Sequence, residues 1–324
     1  MVSFLRSVSC VLAVLYGVPP VLAQASYPSQ PIQLIAPFGT GGSTDIVARL
    51  FASKLGEQMG QPIVVQNRPG ANGNIGSAIV AKAVPNGYTI LYNNGDIVPN
   101  MFLYANLTFD VLRDFSPISP TTSAPMLLVV PPALPVKSFR EFLAYMRTNQ
   151  GKTNYASVGV GSITHLLPVL MLNTNKIESQ HVPYSSGVQG IYADLMTGRT
   201  QFYFSSIAAA LPLIKSGQLR PLAVSSLERN KSIPDIPTMN ESGMQGFEAT
   251  SWQGLLAPAK TPATIVNTLN GEVKKALDDS DTQRQLDKLG RDPFRLTPQE
   301  YEDYLRKEHV RWGRIIRDGN IKAE

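Results

Sequence analysis

From Ile32 onward the chain repeats one pattern, and that pattern restricts its fold more than any other feature. A short apolar run is followed by a glycine-bearing loop and then by apolar residues at helical spacing. Ile32-Gln33-Leu34-Ile35-Ala36 leads through a loop to Ile46, Val47, Leu50, Phe51 and Leu55. Ile63-Val64-Val65 leads to a helix around Ile75 to Ala83, and Tyr88-Thr89-Ile90-Leu91-Tyr92 follows. Strands alternating with helices in this way bury both faces of an open parallel sheet, so the order predicts half of an α/β unit.

A second series begins at Met126-Leu127-Leu128-Val129-Val130. Ser138-Phe139-Arg140-Glu141 has the spacing of a capping box and opens a helix with Phe139, Phe142, Leu143 and Met146 on one face. A strand near Tyr155, a helix carrying Leu166, Leu167, Leu170 and Met171, and a strand at His181-Val182 come next. A helix around Ile191 to Met196, a strand at Gln201 to Phe204, a helix with Ile207, Leu211 and Ile214, and a strand at Leu219 to Val224 complete a second α/β unit. After Leu256 the pattern is nearly all helical. Thr261-Pro262 and Thr297-Pro298-Gln299-Glu300 read as an N-cap followed by an N1 proline, the latter also as a capping box. Tyr301, Tyr304, Leu305, Trp312, Ile315 and Ile316 give the last helix an apolar face that needs a sheet to cover. The chain is expected to cross to the second unit near 122–126 and to return near 247–256, which makes a two-strap hinge with Trp252 beside it.

Two loops share one construction. Gly39-Thr40-Gly41-Gly42-Ser43-Thr44-Asp45 and Gly159-Val160-Gly161-Ser162-Ile163-Thr164-His165 each join a strand to a helix N-terminus. Asn67-Arg68-Pro69-Gly70-Ala71-Asn72-Gly73-Asn74 opens another helix similarly. Glycine lets the backbone approach a ligand, and the free N–H groups with the helix dipole favour an anion by roughly 0.3–1 kcal/mol. In open α/β sheets such loops lie at the carboxyl ends of strands, where ligands bind. Two facing units could clamp an anion from both sides. No Gly-x-x-x-x-Gly-Lys-Ser/Thr occurs, and no Gly-x-Gly-x-x-Gly opens a helix after a strand, which disfavours a nucleotide. Asp45 and Arg49, one helical turn apart, form a pair, and Asp45 is equally able to order its own loop.

Composition narrows the chemistry. One Cys and three His in 324 residues leave too few ligands for a zinc or iron–sulfur site, and no cofactor is expected. The net charge is +5, but the basic residues are scattered, which argues against nucleic acid. No Gly-x-Ser-x-Gly elbow is present, so a hydrolase would have to draw on Ser162 or Ser43 with His165, His181 or His309; Ser162 with His165 is the catalytic alternative. Residues 1–23 carry Arg6, an apolar run from Val8 to Leu22 and a small-residue end at Val21-Leu22-Ala23, the order of a secretory signal peptide cleaved after Ala23 or Ala25. Cys10 would leave with it, and so would one positive charge.

These features together resemble the Bug family, the periplasmic solute-binding proteins of tripartite tricarboxylate transporters. The resemblance is carried by Ala36-Pro37-Phe38-Gly39-x-Gly41-Gly42-Ser43-x-Asp45-x-x-Ala48-Arg49, Val65-x-Asn67-Arg68-Pro69-Gly70-Ala71-x-Gly73 and Pro85-Asn86-Gly87-Tyr88-Thr89. Asp114-Phe115-Ser116-Pro117-Ile118, Val182-Pro183-Tyr184, Leu222-Ala223-Val224-Ser225, Pro234-Asp235-Ile236-Pro237-Thr238 and Gly254-Leu255-Leu256-Ala257-Pro258 extend it over almost the whole mature chain. It implies an α/β, two-lobed type II periplasmic binding fold, a Venus flytrap, with the helical C-terminal segment packing on lobe one. The implied division is 24–124 with 248–324 for lobe one and 125–247 for lobe two.

The resemblance further implies a non-catalytic, metal-free protein that holds a small carboxylate at loop backbones, partly through bridging waters, and delivers it as a monomer to membrane permease subunits. Carried onto this sequence, the contacts are Phe38, Gly41, Ser43, Thr44, Asp45 and Asn72 from lobe one. From lobe two they are Ser162, Thr164, His165, Tyr184 and Ser205. The family often has an Asp-like residue where this chain has Gln201 or Ser205, so a mono-, di- or tricarboxylate is expected over a zwitterionic amino acid. Phe38, Tyr184 and Phe204 would suit an aromatic carboxylate. A periplasmic ligand-sensing subunit for a signalling receptor would use the same fold.

Overall fold

The computed structural model describes residues 27–184 and 188–322. The signal-peptide reading, with its cleavage at Ala23 or Ala25, lies outside the described residues. The first unit runs β1 (Ile32–Ala36), α1 (Ser43–Met59), β2 (Ile63–Asn67), α2 (Asn74–Ala81), β3 (Thr89–Asn94), α3 (Asn100–Leu103) and β4 (Phe115–Ser123). The second runs β5 (Met126–Val130), α4 (Phe139–Thr148), β6 (Asn154–Ser157), α5 (Ile163–Asn175), β7 (Gln180–Pro183), α6 (Val188–Met196), β8 (Tyr203–Ser206), α7 (Ile207–Lys215) and β9 (Arg220–Val224). The tail comprises β10 (Gln253–Pro258), α8 (Ala263–Asp278), α9 (Ser280–Lys288), β11 (Asp292–Pro293) and α10 (Pro298–Asp318).

Six strands form one sheet in the order β11-β4-β10-β3-β1-β2, parallel from β3 to β2 and antiparallel around β10. The apolar alternation read from the sequence places β1, β2 and β3 correctly. It misses β4, whose sequence Phe-Ser-Pro-Ile-Ser-Pro-Thr-Thr-Ser contains two prolines. Proline has no N–H to give a ladder. Here Pro117 and Pro120 stand opposite Leu256 and Gly254, beside the two register shifts of the β4–β10 pair, so irregular pairing absorbs the missing donors.

In the second unit β5 lies between β8 and β9, antiparallel to both, while β6 and β7 pair in parallel. The expected strand at Gln201 to Phe204 is shifted. Its first half pairs with β6, through Gln201 N–H to Asn154 O at 2.9 Å and the Phe202–Tyr155 bridge, and its second half becomes β8 against β5. Two helix starts also differ from expectation. Pro262, not Thr261, is the N-cap of α8, and the Thr261 hydroxyl donates to Pro258 O at 2.7 Å. At α4 the Ser138 hydroxyl accepts Glu141 N–H, but the Glu141 carboxylate reaches back to Lys137 N–H at 2.7 Å, so only half of the capping box forms. The Thr297–Glu300 box at α10 is complete.

The chain leaves the six-stranded sheet after Ser123, and the two straps between the units pair as they cross. Ala124 N–H donates to Ser251 O at 3.0 Å, and Ser251 N–H to Ala124 O at 2.8 Å. Arg291, buried after α9, fastens both, donating to the Thr122 hydroxyl at 2.7 Å and to Ser251 O at 2.6 Å. Helices α1 and α8 bury one face of the large sheet around Phe51, Leu55, Leu269 and Val273. On the other face α10 lays down Tyr301, Leu305, Trp312 and Ile316, as its apolar stripe requires; each such side chain is worth roughly 1.5–3 kcal/mol. This second cluster does not stop at the first unit. Leu166 of α5 is fully buried in it beside Trp312 and Ile97, so an apolar seam joins the two units.

Candidate functional site

Both glycine loops are built on the same internal bond. Gly41, at φ +79°, donates its N–H to Asp45 Oδ2 at 2.9 Å; Gly161, at φ +82°, donates its N–H to His165 Nδ1 at 3.1 Å. In each, a left-handed glycine is pinned by the side chain four residues ahead, inside the first turn of the helix that follows. Only glycine takes that backbone conformation without strain.

Asp45 orders the first loop completely. Besides Gly41 it accepts from Arg49 Nε at 3.1 Å and from Asn67 Nδ2 at 2.8 Å, and Asn67 also donates to Phe38 O at 3.0 Å. Burial would raise its carboxyl, but Arg49, the Gly41 N–H and Asn67 outweigh burial and hold it below the usual carboxylate range. With its acceptor positions filled from within, Asp45 shapes the loop. Gly42 caps α1 with no side chain, and among the described residues no acceptor is paired with the N–H groups of Ser43, Thr44 or Asp45. These are the orphan donors of a helix N-terminus, and Gly41, Gly42 and Ser43 are exposed beside them. Gln253 of β10, not singled out from the sequence, places Nε2 3.3 Å from the Ser43 hydroxyl and 3.4 Å from that of Thr44.

The second loop is more self-contained. The Ser162 hydroxyl donates to Gly159 O at 2.7 Å and meets the Thr164 hydroxyl at 2.9 Å, which also accepts Val158 N–H at 3.0 Å. Because His165 Nδ1 is taken by Gly161, its proton sits on Nε2, and the ring stacks on His181 with centroids 3.9 Å apart. Burial, and then the neighbouring His181, push His165 down to about 3; burial puts His181 at about 4. Both rings are therefore neutral at pH 7. The pairing required by the hydrolase alternative is not formed. Ser162 turns to its own loop, and the histidine that meets a serine is His181, 2.6 Å from the Oγ of buried Ser157.

The third loop links the other two. A Cβ at Gly73 would stand 3.1 Å from Phe38, and one at Gly161 would stand 3.9 Å from Asn72 Nδ2. Asn72, itself at φ +50°, is held by Asn100, whose Oδ1 accepts its amide at 3.0 Å. Phe38, Gly41 and Asp45 are thus tied into one loop cluster beside Asn72, Ser43 and Thr44 open α1 from it, and Ser162, Thr164 and His165 stand together at the start of α5. Tyr184 follows β7, donating N–H to Ser157 O, while its hydroxyl is spent on Asp194 at 2.7 Å. Ser205 is fully buried, with its hydroxyl 2.6 Å from that of Tyr192. A groove of about 1220 Å³ between α5 and α10 contains none of these residues.

Two units joined by paired straps, with glycine loops and helix N-termini on each, are the architecture of a periplasmic binding protein. Residues 47–321 match the model of the tripartite tricarboxylate transporter family receptor, and the chain belongs to that family. It is 32% identical to protein BugT of Bordetella pertussis over 310 residues, 95% of each chain. Among solved structures, R. palustris Rpa4515 with adipate superimposes with a TM-score of 0.80 at 33% identity, covering 92% of this chain and all of that one. MatC from Rhodopseudomonas palustris with bound malate gives 0.76 at 31% identity, covering 90% of this chain and all of that one.

Proposed function

We propose that this protein captures a small carboxylate between its two lobes, without catalysis, and presents it to the permease of a tripartite transporter. The observation that carries the reading is the N-terminus of α1: three orphan N–H groups beside an exposed loop that Asp45, Asn67 and Arg49 have already set. A preset loop loses little entropy on binding, and the helix dipole favours an anion there. Two relatives, one with adipate and one with bound malate, support a carboxylate as the ligand class. Export through the 1–23 segment belongs to the same reading, as does capture by the monomer. The lobe division at 124/125 and 247/248 fits the paired straps.

The test is thermal unfolding of the mature protein against adipate, malate, benzoate and glutamate. At a concentration of 100 Kd a ligand adds about 2.7 kcal/mol, which raises the melting point by several degrees. A carboxylate is expected to do so and glutamate to do less. Flat curves for every carboxylate would refute the reading, and permease delivery is then read separately by ligand-dependent pull-down from membranes.

A further inference from the structure

We propose that Gln253 is a positioning residue for ligand capture: from β10 its amide holds the Ser43 and Thr44 hydroxyls by their oxygens, so that their protons are left for the bound carboxylate. The proposal rests on the carboxylate-capture reading above and adds side-chain donors to the backbone donors of α1. Along β10 successive side chains face opposite sides of the sheet. Trp252 and Leu256 lie in the cluster that α10 covers, while Leu255 and Ala257 lie in the cluster of Val47 and Phe51 of α1. Gln253 falls on the same side as Leu255 and Ala257 and is 2% exposed. An amide buried on an otherwise apolar face is costly unless both of its ends are paired.

The carbonyl end is fixed from the core. Oε1 accepts from the hydroxyl of Tyr92 on β3 at 3.3 Å; Tyr92 is fully buried, 2.7 Å from the Thr121 hydroxyl and stacked on Phe51 with ring centroids 6.4 Å apart. The backbone is fixed too: Gln253 stands opposite Asn94 of β3 and Thr122 of β4, and its carbonyl accepts from Thr121 Oγ1 at 3.1 Å. With Oε1 turned to Tyr92, Nε2 meets the Ser43 hydroxyl at 3.3 Å and that of Thr44 at 3.4 Å, and an NH2 group can only donate. A hydroxyl that accepts still carries a proton of its own. Among the described residues neither hydroxyl has another partner. The one carboxylate in this turn, Asp45, is already filled by Gly41, Arg49 and Asn67, so it does not draw the protons back. Ser43 is exposed and Thr44 lies just beneath it, beside the free N–H groups of α1. An anion seated there meets backbone and hydroxyl donors together.

The experiment is calorimetry of malate and adipate binding at pH 8 in a double-mutant cycle: wild type, Gln253→Met, Ser43→Ala combined with Thr44→Val, and all three changes together. Gln253→Met keeps the length of the side chain and removes the donor. It is expected to weaken binding about fivefold in the wild-type background and less than about twofold once the hydroxyls are gone. Ser43→Ala and Thr44→Val are also measured singly, and the backbone donors of α1 remain in every variant. An equal loss in the two backgrounds overturns the proposal, because Gln253 would then act without the hydroxyls. If thermal unfolding shows that Gln253→Met has lost its fold, Gln253→Glu takes its place in the cycle. Glutamate keeps the shape, but its carboxylate accepts the hydroxyl protons and turns them inward, so its loss is expected to be about fivefold greater with the hydroxyls than without them, and an equal loss again overturns the proposal. If neither malate nor adipate binds the folded wild type, the carboxylate reading fails and takes the proposal with it; binding with equal losses removes the proposal alone.

Discussion

At the scale of single residues, what distinguishes the two glycine loops is what lies opposite them. Gly41 and Gly161 have nearly the same φ and the same i to i+4 lock, so an alanine at either meets the left-handed strain of about 1 kcal/mol. A Cβ at Gly41 meets nothing within 4 Å, whereas one at Gly161 meets Leu103 of the other lobe. Gly161→Ala is therefore expected to weaken ligand binding by about 1 kcal/mol more than Gly41→Ala, and a cycle with Leu103→Ala should recover that excess. Equal losses measured by titration would mean that closure does not bring Leu103 to this loop. The loops were legible from sequence because glycine spacing and an apolar helical stripe are local signals. The locks were not. Asp45 read as either a ligand contact or a loop brace; the filled acceptor positions make its side chain a brace, while its backbone N–H stays among the free donors of α1. Gln253 gave no signal at all, since the Ser43 and Thr44 hydroxyls it meets lie 210 and 209 positions earlier in the chain.

At the scale of elements, Arg291 is what fastens the straps. A guanidinium buried with no carboxylate partner among the described residues is held down to about 10 by desolvation, and it gives its donors to a hydroxyl and a carbonyl. Hydrogen bonds from a charged group contribute about 1.5–3 kcal/mol, while taking the charge out of water costs several. The two nearly offset, so Arg291→Met is expected to lose less than about 2 kcal/mol in urea unfolding. Amide exchange at Ala124 and Ser251 should nevertheless quicken by about tenfold, because the bridge over the straps is gone. Unchanged exchange would show that the strap ladder holds without it. Sequence reading found the elements flanking this region by their apolar periodicity but not β4, because its prolines mimic a loop until β10 supplies a bulged partner. It found the apolar face of α10 but not that α5 shares it, since a stripe of Trp312 and Ile315 does not say how many neighbours cover it.

At the scale of the whole molecule, the seam around Leu166 and Trp312 makes the lobes more than two bodies on a hinge. Leu166 of α5 shares its buried apolar junction with Ile97, Val98 and Trp312. Ala124 and Ser251 are hydrogen-bonded neighbours in both directions, so everything between them enters and leaves the first unit at a single point. In gene terms the stretch 125–250 is expected to behave as a cassette. Excising 125–250 and closing the gap with a two-residue turn is expected to leave a chain that still folds the six-stranded sheet, because none of its strands is removed. The shortened protein would expose the face of Trp312 and Ile315 that α5 now covers, so it should associate until those positions are made polar. A cooperative melt of the polar-faced version would confirm the cassette, and a chain without one would show that the first lobe needs the second to fold. Grafting a relative's 125–250 equivalent into the same point would then exchange half of the binding cleft in one step.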